Sequence, residues 1–307
     1  MKSKHLILWI IVALILAFGL YAFLDRFRVG PERASVLKDE EPRRVICMAP
    51  SITETVFTLG LGDRVVGVSD FCTFPEEATK KERCGGWLNP NLEKITALHP
   101  DLVIIQGKHQ KVRNYCQRRH IALLGVDMQD TASIFREIRN IGRALGCPTC
   151  AETLVSRIER DLQDVKWGVE GRPRPRVFLL IGRTPGSLAG LYTPGQGSFL
   201  AEVLEIAGGE NTFGNVTQSY PQVSKESLVQ RAPEVILEMQ PGKIFTPEQV
   251  ATLKADWQAI PSLPAVRNDR IYVITDDFAL IPGPRIGRLA RRIASVLHPE
   301  VNVDEKR

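Results

Sequence analysis

The sequence lacks the motifs on which most enzyme families depend. It has no Gly-rich phosphate loop followed by Lys, and the Gly-containing stretch from Ile141 to Gly146 is typical of a helix end rather than a dinucleotide-binding turn. It has no Ser/His/acid arrangement of the nucleophile-elbow type, and its five histidines do not cluster. These absences predict that the chain is not an enzyme.

Concentrated positive charge is also scarce. The net charge is +5, to which residues 1–30 contribute four Lys/Arg and one Asp, and aromatic residues make up 7%. The densest basic stretch, residues 108–119, is typical of the solvated face of one helix. A nucleic-acid-binding protein usually combines a basic face with interleaved aromatic residues. We therefore expect no nucleic-acid partner.

One long uncharged run is present, from Leu6 to Leu24. Its length fits a membrane-spanning helix, although a signal peptide cleaved near Ala17-Phe18-Gly19 is an alternative. No Cys lies near its end, so we expect no lipid-modified N-terminus. We predict a membrane anchor or signal segment at residues 1–30 and a polar tether at 31–42. The remainder is then expected in the periplasm or on the extracytoplasmic face, tethered to the membrane, or secreted if the segment is cleaved.

Cysteines number six, and fifteen complete pairings are possible. Outside the cytoplasm a disulfide is permitted, and pairing Cys72 with Cys84 would close a short loop. Cys147 and Cys150 have the spacing of redox and zinc motifs. However, the segment before them is predicted to be helical, whereas a redox motif follows a strand, and no second pair of zinc ligands is found. For these two cysteines we expect a structural role.

A short pattern that occurs twice predicts the fold class. A helical turn, a Pro followed by an acid, and a Val/Ile-rich run recur around Pro100 and Pro233, which lie 133 residues apart. Because Pro ends a helix and the apolar run is typical of a buried parallel strand, each unit predicts α/β structure. That separation suits two similar lobes, and two matching lobes predict a cleft between them.

Strand and helix patterns alternate along the rest of the chain and predict parallel sheets flanked by helices. The first lobe is predicted at 43–146, with a helix from Thr55 to Leu61 preceded by a capping box of Ser51 and Glu54. Residues 149–168 carry apolar groups at helical spacing, so a single long helix at 147–170 should join the lobes. The second lobe is predicted at 171–300, followed by a tail at 301–307.

Six motifs occur in an order that resembles a known family. They begin at Pro50 (Pro-Ser-Ile-Thr-Glu), Gly85 (Gly-Gly-Trp-Leu-Asn-Pro-Asn-Leu-Glu), Pro100, Ala207 (Ala-Gly-Gly-Glu-Asn), Tyr220 (Tyr-Pro-Gln-Val-Ser-Lys-Glu) and Pro282 (Pro-Gly-Pro-Arg). Over residues 43–298 the chain resembles the substrate-binding proteins of ABC importers for cobalamin, haem and iron-siderophores, above all the cobalamin binders. The resemblance implies two Rossmann-like lobes joined by one long helix. It also implies an ABC permease and its ATPase subunits as partners.

The resemblance also implies roles for particular residues. Glu54 and Glu226 match the carboxylates that dock on the permease, although both also suit a helix start. The motif positions that contact ligand are matched by Phe71, Phe74, Trp87, Tyr220, Asp277, Phe278 and Arg285. For any single aromatic residue, a place in the hydrophobic core is the alternative. As a group, four of the aromatics follow strand ends, where α/β sheets bind ligands.

The chain departs from the cobalamin binders where Phe71 and Phe74 replace tyrosines and Tyr220 replaces a tryptophan. A cobalt corrinoid is the expected ligand, and haem or a ferric siderophore is the alternative. A divalent-metal-binding protein is the second alternative, although the His, Glu and Asp pattern of such proteins is absent. We expect no cofactor of the protein's own and no resident metal, with His109 and Tyr192 as weaker candidates for contacting the metal of a bound macrocycle.

Overall fold

The computed structural model of this chain describes residues 41–301. The predicted membrane segment at 1–30 lies outside the described residues. So do all but the last two residues of the predicted tether and the tail beyond residue 301. Within residues 41–301, no helix is both long enough and apolar enough to cross a bilayer.

The first half of the described chain contains a five-stranded sheet in which all neighbouring strands are parallel. Its strands are β1 (Val45–Cys47), β2 (Val65–Val68), β3 (Glu82–Arg83), β4 (Leu102–Gln106) and β5 (Ala122–Val126). Their spatial order is β3-β2-β1-β4-β5. The residues of β1 are all buried, as expected for a parallel strand covered by helices on both faces.

Helices connect these strands and continue past the sheet. They are α1 (Pro50–Thr58), α2 (Glu76–Thr79), α3 (Leu92–Ala97), α4 (Gln110–Arg118), α5 (Thr131–Ala144) and the long helix α6 (Pro148–Gly168). A short 3-10 helix, Gly62–Arg64, leads into β2. The regular alternation of strand and helix produces the parallel sheet, because a parallel neighbour requires a crossover connection.

The second half contains a four-stranded parallel sheet and a small antiparallel ribbon. The strands are β6 (Arg176–Leu180), β7 (Leu191–Tyr192), β8 (Glu210–Asn211), β9 (Gln222–Val223), β10 (Val235–Met239) and β11 (Ile271–Ile274). The parallel sheet has the order β11-β10-β6-β8, and β7 pairs with β9. The helices are α7 (Phe199–Ile206), α8 (Lys225–Arg231), α9 (Pro247–Ala255), α10 (Pro264–Arg267) and α11 (Ile286–Leu297). The predicted α/β class with parallel sheets is confirmed.

The two repeated Pro-acid units occupy equivalent places in the two sheets. β4, which follows Pro100, lies between β1 and β5, and β10, which follows Pro233, lies between β6 and β11. The Asp101 carboxylate accepts hydrogen bonds from the backbone N–H of Arg43 and Arg44, both at 2.9 Å. The Glu234 carboxylate likewise accepts one from the N–H of Arg176 at 2.8 Å. The acid after each Pro thus fixes the start of the neighbouring strand, which explains why the unit pairs these residue types.

The long helix α6 packs against both halves of the described chain. It contacts α5 of the first half and α7 and α11 of the second. Its inward face is buried at Ala151, Leu154, Val155, Ile158, Leu162 and Val165. These are the positions at which the sequence pattern places apolar groups. The largest hydrophobic cluster includes them together with residues of both sheets, so a continuous core runs along α6.

The start of α1 differs from the prediction. The helix begins at Pro50, with Ala49 as an N-cap that makes no side-chain capping bond, and the Ser51 hydroxyl donates to Gln106 Oε1 at 3.0 Å. The predicted capping box of Ser51 and Glu54 is therefore wrong. Pro is favoured at the first helical position, because its fixed φ suits a helix and no N–H is lost there. Consequently Glu54 lies inside the helix, beyond the reach of its N-terminus.

Candidate functional site

The carboxyl-terminal edges of the two parallel sheets approach each other at one junction. Glu54 lies in the helix that follows β1, and Arg285 lies in the segment that follows β11. The two side chains are in direct contact although 231 residues separate them in sequence. In open α/β sheets the carboxyl ends of the strands are where ligands bind. The geometry therefore brings the two predicted binding edges together.

Arg285 is the centre of this junction. Its Nε and Nη2 donate to the two Glu54 carboxylate oxygens at 2.8 and 2.6 Å. Its Nη1 donates to both oxygens of Asp277 at 2.8 and 2.9 Å. The guanidinium carbon also lies 4.0 Å from the centre of the Phe74 ring and 5.2 Å from that of Phe278. One cation therefore binds two carboxylates and stacks on aromatic rings from both halves of the chain.

Burial affects the pKa of both the Glu54 carboxyl and the Arg285 guanidinium. Glu54 is 1% exposed. Its burial raises the pKa of the carboxyl, and the hydrogen bonds and charge of Arg285 act in the opposite direction. For Arg285, burial disfavours the charged form, but the bonds to Glu54 and Asp277 leave its pKa above the usual value. The predicted docking role of Glu54 requires an accessible carboxylate, and here that carboxylate is buried beneath Arg285.

The predicted ligand contacts at this junction differ in how much surface they present. Phe278 and Arg285 are buried, and Phe278 packs into the core, with the Arg288 guanidinium 5.0 Å from its ring. The Asp277 side chain is 39% exposed to solvent. Of these three residues, Asp277 has the most surface available for a ligand.

A second group of predicted site residues forms an exposed apolar surface in the first half. Phe71 is 67% exposed and Trp87 is 49% exposed. The Phe71 ring lies beside Gly86, where an added Cβ would be 3.0 Å from it, and the Trp87 indole lies beside Gly107. Both residues follow strand ends, and a group of neighbouring exposed apolar side chains is a stronger sign of a binding surface than a single exposed residue is. We call Phe71, Trp87 and the neighbouring exposed Leu88 the aromatic surface.

His109 lies directly against the aromatic surface. Its ring centre is 4.4 Å from that of Trp87, at a tilt of 53°. Nε2 is buried and has no hydrogen-bond partner within residues 41–301. Burial lowers the pKa of His109, so the imidazole is neutral and its unprotonated nitrogen can act as a ligand for a metal.

The two predicted tyrosines lie on the other half of the chain. Tyr192, on β7, is exposed, and its hydroxyl donates to Gln222 Oε1 at 3.2 Å. Tyr220 is half-buried and packs against the large core cluster, and burial raises its pKa to about 12. Tyr220 therefore remains a neutral phenol across the physiological pH range.

Glu226 is the exposed member of the predicted docking pair. It lies in the first turn of α8, whose N-cap is Ser224. Its own backbone N–H and the Ser224 side chain lower the pKa of its carboxyl, which keeps it charged. Unlike Glu54, Glu226 is accessible in this structure.

The cysteines differ from the sequence prediction. Cys72 and Cys84 are free and fully buried, so the predicted pairing between them is wrong in this structure. Cys72 Sγ lies 3.1 Å from the Thr53 hydroxyl and 3.2 Å from that of Ser69, and it occupies the core as a small apolar group. The disulfide in the described residues joins Cys147 to Cys150, at the first turn of α6.

Another contact between the two halves has no counterpart in the sequence prediction. The Glu202 carboxylate accepts from the backbone N–H and the hydroxyl of Thr131 at 2.8 and 2.6 Å. The N–H of Phe199 donates to the Gln129 carbonyl at 2.6 Å. These residues join the start of α5 to the start of α7 and lie about 70 positions apart, a separation at which spacing gives no signal. Together with the Arg285 junction, they tie the halves at two places.

Comparison with known proteins gives these sites a context. An ABC transporter substrate-binding lipoprotein of Bacillus subtilis (strain 168), itself uncharacterised, is 29% identical over 273 residues, covering 85% of this chain and 82% of its own. The crystal structure of the vitamin B12-binding protein BtuF of Vibrio cholerae is similar, with a TM-score of 0.68 and 27% identity, over 84% of this chain and 97% of that one.

The haem-binding protein BhuT, in complex with two haems, gives a TM-score of 0.69 and 25% identity over 83% of this chain and 98% of that one. These relatives are named as binding proteins, and the prediction that the chain is not an enzyme is confirmed. The family described as periplasmic binding protein matches residues 45–278, which is most of the chain. The chain belongs to this periplasmic binding protein family.

Proposed function

We propose that this protein is the substrate-binding component of an ABC importer, and that it captures a corrinoid between its two halves for delivery to a membrane permease. The observation that carries the proposal is the aromatic surface at a carboxyl edge of the first sheet. The similarity to a vitamin B12-binding protein and to an ABC transporter substrate-binding lipoprotein supports the same role. In this proposal the lobes are residues 43–146 and 171–300, joined by the helix at 147–170.

Apolar contact is the main interaction that this surface offers. A flat macrocycle presents a large apolar face, and burying it against aromatic rings releases water without needing many hydrogen bonds. Phe71 and Trp87 supply rings from the first half, and we propose that Tyr192 and Tyr220 face the ligand from the second. Asp277, with its partly exposed carboxylate, supplies a hydrogen-bond acceptor for amide groups at the rim of the ligand.

We propose an extracytoplasmic location, with the segment at residues 1–30 acting either as an anchor or as a cleaved leader. Glu226 is the first candidate for docking on the permease, because its carboxylate is exposed and charged. For Glu54 to dock, Arg285 would first have to release it. We expect Glu226→Lys to weaken ligand-dependent stimulation of the transporter's ATPase while leaving the ligand affinity of the isolated protein unchanged.

Haem is a second candidate cargo, and one observation favours it. His109 places a neutral imidazole beside Trp87, with a nitrogen that has no partner within the described residues. A modest rotation of this ring towards the aromatic surface would offer haem iron an axial ligand. A divalent-metal role is not proposed, since residues 41–301 contain no group of three or more His, Cys, Asp or Glu side chains that could hold a metal ion.

The cargo can be identified by titrating the purified protein with cyanocobalamin, cobinamide and haemin, with binding monitored by calorimetry and visible absorbance. One-to-one binding of a corrinoid with a submicromolar Kd supports the proposal. If only haemin binds, and the Soret band of the complex differs between the wild type and His109→Ala, haem rather than a corrinoid is the cargo. If none of the three binds and ferric siderophores also fail, the transport proposal is contradicted.

A further inference from the structure

We propose that Cys147 and Cys150 form a site of reversible thiol–disulfide exchange with a dithiol partner. The disulfide lies at the start of α6, remote in sequence from every residue assigned to the ligand and docking sites. The proposal is independent of what cargo the protein carries. It replaces the structural role expected from the sequence: although the pair follows the helix α5 rather than a strand, it opens a long helix and is more accessible than the other thiols.

The position of the pair favours a stabilised thiolate. Cys147 is the N-cap of the 21-residue helix α6, Pro148 occupies its first turn, and Cys150 follows within that turn. In the disulfide form the Cys147 side chain makes no capping hydrogen bond. After reduction, its sulfur lies where N-cap side chains accept bonds from free N–H groups, at the positive end of the helix dipole. Both effects lower the pKa of a cysteine below about 8.5.

Accessibility separates this pair from the other thiols. Cys147 and Cys150 are both half-buried, whereas the four free cysteines of the described residues are fully buried. Burial raises the pKa of each of these four thiols, to about 11 for Cys84 and for Cys116. A reagent in solution can therefore reach the disulfide, while the other thiols remain protonated and protected.

The dithiol partner supplies the electrons and protons that the exchange consumes. A thiolate of the dithiol attacks Cys150 Sγ, the S–S bond breaks, and its electron pair goes to Cys147 Sγ, because the sulfur at the helix N-terminus is the better leaving group. The second thiol of the partner then attacks the mixed disulfide and releases Cys150, and protons from the dithiol balance the new thiols. The protein disulfide has gained two electrons and two protons, and the dithiol has become a disulfide.

The exchange acts on a helix that packs against both halves. Where α5 meets α6, an added Cβ at Gly142 would lie only 2.3 Å from Cβ of Ala151 and 3.0 Å from the Cys147 carbonyl, so there is no free space. The backbone N–H of Cys147 also donates to the Gly142 carbonyl at 2.8 Å. The disulfide therefore lies over a tight helix–helix contact, and its reduction removes a covalent restraint at that contact.

The first test equilibrates the native full-length protein with defined ratios of reduced and oxidised dithiothreitol. After alkylation by iodoacetamide, trypsin releases residues 144–157, a peptide that contains these two cysteines and no others. We expect reversible labelling of this peptide that follows the dithiothreitol ratio, with the four buried cysteines unlabelled. A disulfide that stays intact in the native protein at every ratio would overturn the proposal.

The second test assigns the stabilised thiolate. In Cys150→Ser the remaining Cys147 thiol should alkylate at least about threefold faster near pH 6.5 than the Cys150 thiol does in Cys147→Ser. Ser keeps the N-cap chemistry in Cys147→Ser, so both variants retain the helix start. Equal alkylation rates across the pH range would contradict the assignment of Cys147, and with it the exchange mechanism proposed here.

Discussion

Arg285 joins charged and aromatic side chains from both halves of the chain at one point. It is a buried cation, and two carboxylates and two aromatic rings surround it. Removing one partner of a buried pair leaves an uncompensated charge, which is far more costly than losing an exposed ion pair. The polar contact between Glu54 and the second half therefore depends on this one side chain.

Arg285→Met should lower the free energy of unfolding by about 3 kcal/mol at neutral pH, because Glu54 is left buried without its cation. The matched control is Arg139→Met, which breaks the more exposed pair with Glu152 and should cost less than about 1 kcal/mol. Urea denaturation of both variants measures the difference. Equal losses in the two variants would contradict a central role for the buried junction.

The loss in Arg285→Met should also depend on pH. Burial raises the folded-state pKa of Glu54 above its ordinary value of 4.5, and removing Arg285 takes away the group that opposes this effect. A carboxyl with a raised folded pKa binds protons more readily when folded, so the variant regains stability as pH falls through that pKa. The regained stability is complete below about 4.5. If the denaturation midpoint of Arg285→Met lies below that of the wild type by the same amount from neutral pH to mild acid, the predicted pH dependence is wrong.

At the residue scale, sequence reasoning indicated which aromatic side chains follow strand ends, but it gave no signal for contacts between residues that are distant in the chain. The resemblance implied Phe71 and Trp87 as ligand contacts, and their places after strand ends agree with their exposure of 67% and 49%; their binding role stays a prediction. The contact of Glu54 with Arg285 joins positions 231 residues apart, so no spacing could indicate it. The sequence did contain a signal for the true start of α1, because Pro is favoured at the first helical position and Pro50 occupies it. A helix that begins at Pro50 places Glu54 beyond its first turn.

At the scale of elements, the strands were the most predictable parts. The Val/Ile-rich runs that follow Pro100 and Pro233 identified β4 and β10, because such runs bury both faces of a parallel strand. Helix starts were harder, since several residue types compete to cap them. The helix α5 is fixed by a box in which Asp130 accepts from the Ser133 N–H and the Ser133 hydroxyl accepts from the Asp130 N–H.

Asp130→Ala should cost about 1 kcal/mol of unfolding free energy near neutral pH. Its bonds to Ser133 lower the pKa of Asp130 below 3.8, so this contribution is present above that value and is lost as pH falls through the folded pKa. Thr246→Ala, at the equivalent box of α9, is the control, because a hydroxyl does not titrate. If the change in unfolding free energy depends on pH in the same way in Asp130→Ala and Thr246→Ala, the Asp130 carboxylate is not the cause of the dependence.

At the scale of the whole molecule, the two halves share the largest hydrophobic cluster of the core and are joined by polar contacts, while each half also has a smaller cluster of its own. The large cluster includes buried residues of both sheets along α6, while Arg285–Glu54 and Glu202–Thr131 tie the halves at separate places. Such coupling restricts hinge motion, so ligand entry should need only a small displacement. The repeat around Pro100 and Pro233 predicted the two matching halves, but only the structure gives their polar contacts.

Cooperative unfolding follows from that shared core. Ile52→Ala, in the first half, should cost about 2–5 kcal/mol, because Ile52 is fully buried in the large cluster. We expect hydrogen-exchange protection to fall equally in β4 and in β10, although β10 lies in the other half. A loss of protection confined to the first sheet would show that the halves unfold independently.

The measurement that tests the central claim most directly compares two tryptophans by calorimetric titration with cyanocobalamin. Trp87 belongs to the aromatic surface, and Trp167, 63% exposed near the end of α6, lies outside it. We predict that Trp87→Ala weakens binding by at least about tenfold and that Trp167→Ala leaves it unchanged. Equal affinities in the wild type and both variants would contradict the claim that the aromatic surface holds the ligand.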